Sequence, residues 1–178
     1  MAEQPPDPGF AMTELTGWAL TQLAFRPASF ADLDAAFLRR TGRKLPANCG
    51  EVVGGDLIEA FRLSPRRLWF VGSPSALATA LADGLAPQAS VLSLTAGRRR
   101  YRLTGGRCTE VLAKGIALDL EGSGLPPGRA AETQLHRMPV LLHRRPDSFE
   151  LLVPRSFAAS FEAWVADAAM ETGWRPAA

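Results

Sequence analysis

At 178 residues and 47% hydrophobic composition the chain has enough apolar surface for a packed core, and a net charge of +2 rules out a polycation. No apolar run reaches the roughly 20 residues that a bilayer-spanning helix needs. The only cysteines, Cys49 and Cys108, lack CxxC spacing and give neither a zinc site nor a disulfide framework, although one bridge between them fits the count. The opening MAEQPPDPGF is acidic and Pro-rich, the reverse of a signal peptide. Residues 1–9 are therefore read as a flexible tail, and the protein is expected in the cytoplasm.

In chain order, a strand is predicted at about Trp18 to Ala24, broken at Arg26-Pro27. Ser29 then reads as an N-cap with Asp32 three residues on, and Phe30, Leu33, Phe37 and Leu38 form a helical stripe. Gly42 should end that helix as a left-handed C-cap. The run from Arg43 to Asp56, rich in Gly, Pro and Asn, reads as a surface loop. A hairpin follows, Leu57 to Leu63 and Arg67 to Val71, turned at Ser64-Pro65-Arg66. Gly72-Ser73-Pro74 opens a helix with Pro at its first position and Leu77 and Leu81 on its buried face, stopped by Gly84.

Val91 to Thr95 and Arg98 to Thr104 read as a second hairpin. Thr104 is expected to cap a short helix ending at Lys114-Gly115. After a loop at Glu121 to Gly128, the third hairpin pairs Thr133 to Arg144 with Ser148 to Val153, and Pro139 argues for an edge position or a bulge. The last helix begins at Ser156, shows Phe157, Phe161, Trp164, Val165 and Ala168 on one face, and stops at Gly173. Hairpins with helices on one side predict an α+β fold. The pattern strand, helix, hairpin, helix occurs twice, in antiparallel or mixed sheets. It gives a single domain over residues 10–174, built of pseudo-repeated halves (about 10–86 and 87–174), with residues 175–178 a second tail.

No set of catalytic groups stands out. Leu103-Thr104-Gly105-Gly106 lacks the Lys-Ser/Thr of a phosphate loop and the third Gly of a dinucleotide fingerprint. His136 and His143 lie seven apart on one predicted strand, which sends them to opposite faces and away from a shared metal. Cys108 could be acidified in a helical first turn, but burial as a small hydrophobe is the expectation. Asp119 and Glu121 are expected to meet a nearby Arg. Basic residues are the most suggestive feature, for 18 of 20 are Arg. Arg98, Arg100 and Arg102 alternate on one strand and share a face, with Arg99, Tyr101 and Leu103 on the other. A nucleic-acid binder would show more aromatic residues and more net charge. The stripe reads either as a solvated sheet face or as a docking surface for an acidic protein partner, since Arg is favoured at interfaces. With Trp164 and Trp174 of the aromatic C-terminal segment, Arg98, Arg100 and Arg102 are the candidate partner interface. No catalytic, cofactor-binding or metal-binding residue is assigned.

The strand ending in Leu103-Thr104-Gly105, then Val111-Leu112-Ala113-Lys114-Gly115, Leu118-Asp119-Leu120, Arg155-Ser156-Phe157-Ala158 and Ala168-Ala169-Met170-Glu171-Thr172-Gly173 together resemble the gamma subunit family of heterotetrameric sarcosine oxidase. Leu23-Ala24-Phe25-Arg26-Pro27 and Leu45-Pro46 add to the likeness. The small subunit of methylglutamate dehydrogenase belongs to the same wider group. The resemblance implies the folate-binding-domain fold of aminomethyltransferases, with two ββαβββα-like halves, and a non-catalytic structural subunit packed against alpha. It implies partners alpha, beta and delta in a complex that oxidatively demethylates an N-methyl amino acid to glycine, peroxide and methylenetetrahydrofolate. NAD and tetrahydrofolate would sit in alpha, FAD in beta, covalent FMN between alpha and beta, and zinc in delta, with no cofactor in this chain. The Asn- and Asp-bearing folate motif and the KGC motif of iron–sulfur assembly relatives are not visible; Lys114-Gly115-Ile116 lacks the Cys. A free-standing tetrahydrofolate-binding one-carbon protein is the alternative.

Overall fold

The computed structural model describes residues 9–55, 57–81, 89–172 and 174. Of the expected tails at 1–9 and 175–178, all but Gly9 lie outside the described residues, as do the expected helix stops Gly84 and Gly173. The fold is α+β, with two five-stranded sheets and four α-helices among the described residues. The chain divides into two compact units. The first comprises Met1–Leu15, Arg99–Gly128 and Glu132–Ala178, and the second Thr16–Arg98 with Arg129–Ala131. The chain passes from one unit to the other at Leu15/Thr16, Arg98/Arg99, Gly128/Arg129 and Ala131/Glu132.

In the second unit the sheet runs β3 (Val52–Gly54), β4 (Ile58–Ser64), β5 (Arg67–Gly72), β2 (Ala19–Phe25) and β6 (Ala89–Ser93). The β4–β5 hairpin is antiparallel and turns at Pro65-Arg66, as expected. Helix α1 (Phe30–Thr41) ends on Gly42 at φ 70°, where the left-handed geometry favours glycine. Its start differs from the reading. Ser29 is the N-cap residue but its side chain makes no capping bond, because Pro27–Ser29 already forms a 3-10 turn. Helix α2 (Pro74–Ala80) has Pro at its first position, and the Ser73 hydroxyl accepts from the Ala76 amide at 3.2 Å. The core of this unit packs Leu23, Leu33, Phe37, Leu68, Phe70 and Leu77, with Phe37 and Phe70 at 5.4 Å between ring centroids. Part of the expected Arg43 to Asp56 loop is β3. Gly54 belongs to it because an added Cβ would meet the Ile58 carbonyl oxygen at 2.3 Å.

In the first unit the sheet order is β1 (Ala11–Leu15), β7 (Arg98–Thr104), β10 (Ser148–Pro154), β9 (Met138–Arg144) and β8 (Ala130–Leu135). Three expectations are corrected here. The stretch Val91 to Thr104 is not a hairpin. β6 pairs with β2, a 3-10 turn at Thr95–Gly97 intervenes, and β7 pairs with β1, a strand the pattern missed. The long strand from Thr133 to Arg144 is two strands, reversed at His136 (φ 43°) and Arg137 (φ 70°). His136 therefore lies in a turn and not on a strand with His143. Pro139 sits one residue into β9, an inner strand, with its ring exposed beside that turn. Thr104 ends β7 and caps nothing; Gly105 turns the chain at φ 106°, and α3 (Cys108–Ala113) follows. Helix α4 (Ala158–Ala168) buries Phe161, Val165 and Ala168, whereas Phe157 is its N-cap and 38% exposed.

Candidate functional site

Strand alternation puts Arg100 and Arg102 on one face of β7, and β10 lies beside it in the sheet. On β10 the pattern Ser-Phe-Glu-Leu-Leu-Val places one carboxylate, Glu150, in an apolar run where it is 1% exposed. Arg100 donates to Glu150 Oε2 from Nε at 3.0 Å and from Nη2 at 2.5 Å. Arg102 donates to Oε1 from Nε at 3.1 Å and Nη2 at 2.8 Å, and Arg145 reaches Oε2 at 3.2 Å. Each guanidinium brings two N–H groups to one carboxylate oxygen, so both oxygens of Glu150 are held by charge-assisted hydrogen bonds, which are stronger than neutral ones. Burial alone would raise the Glu150 pKa, but the facing guanidiniums, Arg100 foremost, overcome it and hold the group at about 2. On the opposite face Arg99 pairs with Glu14, and Tyr101 packs on Phe161 at 4.7 Å while its hydroxyl donates to Glu162 at 2.5 Å.

The stripe is therefore not a uniform solvated face. Arg100 keeps only 11% of its side-chain exposure and Arg102 keeps 45%. Arg98 belongs to the second unit, where its guanidinium lies 5.0 Å from the ring centre of Trp69. Trp164 is half-buried, and its indole lies on Gly115, where an added Cβ would meet Cζ2 at 2.5 Å. Trp174, also half-buried, meets Phe10 edge to face at 6.0 Å. The sequence brought Arg100 and Arg102 together correctly but missed the carboxylate they serve. A lone Glu in an apolar strand, with an alternating Arg strand elsewhere, was the signal for it.

Burial moves two further groups, His143 and Cys108, away from their ordinary titration ranges. His143, on β9 opposite Glu150, is 3% exposed. Burial first, and then the charge of Arg145, press its pKa down to about 4. Cys108 is a free, buried thiol pushed up to about 12 by burial, not an acidified nucleophile, and Cys49 is free and exposed. Asp119 accepts from the Gly122 amide at 2.8 Å and so closes its own loop. Arg144 pins that loop through the carbonyls of Leu120 (2.6 Å) and Leu125 (3.0 Å).

His143 carries a pH prediction. Its folded pKa lies below its unfolded value of about 6.5, so between those values the unfolded chain binds the extra proton and stability falls as pH falls. We expect a loss of up to about 3 kcal/mol between pH 6.5 and 4 in chemical denaturation. The slope in that window should flatten in His143→Gln; an unchanged slope would remove His143 as its source.

In the second unit Arg62 is 7% exposed, with its guanidinium 4.1 Å from the Phe30 ring centre and 5.1 Å from that of Phe25. Nη2 donates to the Pro65 carbonyl at 2.9 Å. Nε and Nη1 meet no acceptor among the described residues, so ring faces stand in for oxygen, and burial lowers the pKa. The same unit carries a cleft of about 570 Å³ where the C-terminal end of α1, the start of β4 and α2 converge. Arg40, Arg43, Ser75 and Thr79 line it, and Leu57 and Ile58 supply apolar surface.

Residues 28–171 match the profile of the family described as sarcosine oxidase, gamma subunit family. A curated relative, the sarcosine oxidase subunit gamma of Corynebacterium sp. (strain U-96), is 33% identical over 155 residues, covering 85% of this chain and 76% of the relative. Among solved structures, a chain of the heterotetrameric sarcosine oxidase from Corynebacterium sp. U-96, in complex with pyrrole 2-carboxylate, superposes with a TM-score of 0.81 at 29% identity. It covers 97% of this chain and 89% of that one. The glycine cleavage system aminomethyltransferase T from Bartonella henselae superposes with a TM-score of 0.61 at 18% identity, over 90% of this chain and 46% of its own, a likeness of fold alone.

Proposed function

Because the chain belongs to the sarcosine oxidase gamma subunit family, we propose that it is the gamma subunit of a heterotetrameric flavoenzyme, where it assembles and holds the complex without reacting itself. The complex would oxidatively demethylate sarcosine or a related N-methyl amino acid in the cytoplasm, with the chain packed mainly against alpha beside beta and delta. FAD, covalent FMN, NAD, tetrahydrofolate and zinc would reside in those other subunits. The observation that carries the reading is the family match, which takes in most of both units.

The site chemistry supports a structural part. Glu150 is saturated by three arginines and 1% exposed, and the Cys108 thiol is buried and protonated at neutral pH. No helix of the described residues is long and apolar enough to cross a membrane. The partner contacts we propose are separate: Arg102 on the Glu150 side of β7, Trp164 and Trp174 in the C-terminal segment, and Arg98 in the second unit. Arg100 contributes to the first by aligning Glu150, which in turn holds Arg102 at the surface.

The test is native mass spectrometry of the tagged chain co-expressed with its neighbouring reading frames. We expect a stoichiometric complex that carries flavin while this subunit stays colourless. A stable lone monomer or homo-oligomer would overturn the reading, and titration with a reduced folate would then decide the alternative.

A further inference from the structure

We propose that the cleft at the C-terminal end of α1 receives an acidic segment of a partner subunit that lays an apolar side chain against Leu57. The inference rests on the subunit reading and adds to it a surface and the chemistry of its occupant.

Charge is the first argument. Helix α1 closes with Arg39 and Arg40, and Arg43 and Lys44 follow directly after the Gly42 cap. All four side chains are exposed, and none forms an ion pair among the described residues. Asp34, the acid one turn before, is committed to the Leu45 amide at 2.6 Å. Two arginines in the last turn suit the helix dipole. That does not explain Arg43 and Lys44, which lie beyond the cap. Arg43 Nη1 donates to the Gly54 carbonyl at 2.8 Å. Its guanidinium also lies over Gly55, where an added Cβ would come within 3.3 Å of Nη2. The fork is thus anchored at the rim by one donor, with the others unbonded among the described residues and of a geometry that suits a carboxylate.

Apolar surface is the second argument. Leu57 is 69% exposed at the edge of the cleft, beside the half-buried Ile58. A small anion would use the arginines and leave the leucine in water. An acidic segment with one aliphatic side chain uses both, and Arg beside an apolar anchor is the composition of a protein interface. Ser75 and Thr79 also line the cleft; the Thr79 hydroxyl already donates to the Ser75 carbonyl at 3.1 Å, so it offers the segment's backbone amides an acceptor.

The experiment is assembly of the full chain with its co-expressed partner subunits, read as a dissociation constant over a range of salt. Arg40→Glu with Arg43→Glu should weaken assembly at least about tenfold and flatten its salt dependence. Leu57→Ser should weaken it with the salt slope kept. Arg26→Glu with Arg66→Glu makes the same change in net charge at exposed positions away from the cleft, and should assemble as the unsubstituted chain does. Equal weakening by both double reversals, or normal assembly of the cleft variants, would overturn the proposal. So would millimolar citrate binding that the cleft reversal abolishes while assembly stays intact, which would make this a small-anion site. If the unsubstituted chain itself forms no complex, the subunit reading fails first, and this inference falls with it.

Discussion

Glu150→Gln should cost the folded chain about 3 kcal/mol at neutral pH, the scale of breaking a buried ion pair by removing one partner. The change is isosteric, so it leaves no cavity. What it leaves is three guanidiniums facing a neutral amide, among them Arg100, which is 11% exposed and cannot turn to water. Arg102 and Arg145, at 45% and 27% exposure, can partly relax, which keeps the cost at the lower end of the buried-pair range. For a chain of this length that loss corresponds to a fall in Tm of roughly 6–12 °C. The sign with pH is fixed. Glu150 is held at about 2 when folded, below its ordinary 4.5, so its contribution is complete above 4.5 and disappears as pH falls toward 2. The gap between the unsubstituted chain and Glu150→Gln should therefore close on acidification through that window. A gap that persists at pH 2 would mean that packing, not charge, is what the substitution disturbs.

Gly115→Ala is expected to destabilise by about 2 kcal/mol, the cost of overpacking a filled site. The new methyl would sit 2.5 Å from Trp164 Cζ2, on a ring held by an α4 face that buries Phe161 and Val165. Neighbouring bonds leave the backbone little room to retreat. The Gly115 carbonyl accepts from the His136 amide at 2.9 Å, and Lys114 Nζ donates to the Ala168 carbonyl at 2.8 Å. Trp164→Leu removes the ring. In that background Gly115→Ala should cost little, giving a coupling of at least about 1 kcal/mol in a double-mutant cycle by urea denaturation. Additive effects would show that Gly115 is required for a reason other than Trp164. The same cycle separates the structural part of Trp164 from its proposed partner contact, because only the latter should move the assembly constant.

Local signals were legible in the sequence. The Ser64-Pro65-Arg66 turn, the Ser73-Pro74 helix start and the Gly42 stop each depend on a few adjacent residues, and each is where the pattern put it. What escaped depended on distant partners or on residues outside the turn vocabulary. Ala11–Leu15 is short and mixed in polarity, and only its pairing with β7 makes it a strand. His136 and Arg137 adopt positive φ without the Gly or Asn that announces such a turn, so two strands read as one. For the site, alternation was enough to put Arg100 and Arg102 on one face. It could not show that β10 lies alongside with Glu150, since strand adjacency is a property of topology and not of spacing.

That same first strand sets an order on synthesis. β1 leaves the ribosome early, yet its partner β7 lies beyond nearly the whole of the second unit, from Thr16 to Arg98. The intervening stretch contains four strands of its own sheet already in sequence before β6, and can collapse while β7 is still being translated. The nascent chain thus carries β1 as an unpaired ribbon past a folding neighbour, and the first unit can close only once Thr104 has emerged. A truncation that removes β1 then leaves the flank of β7 bare to other nascent chains.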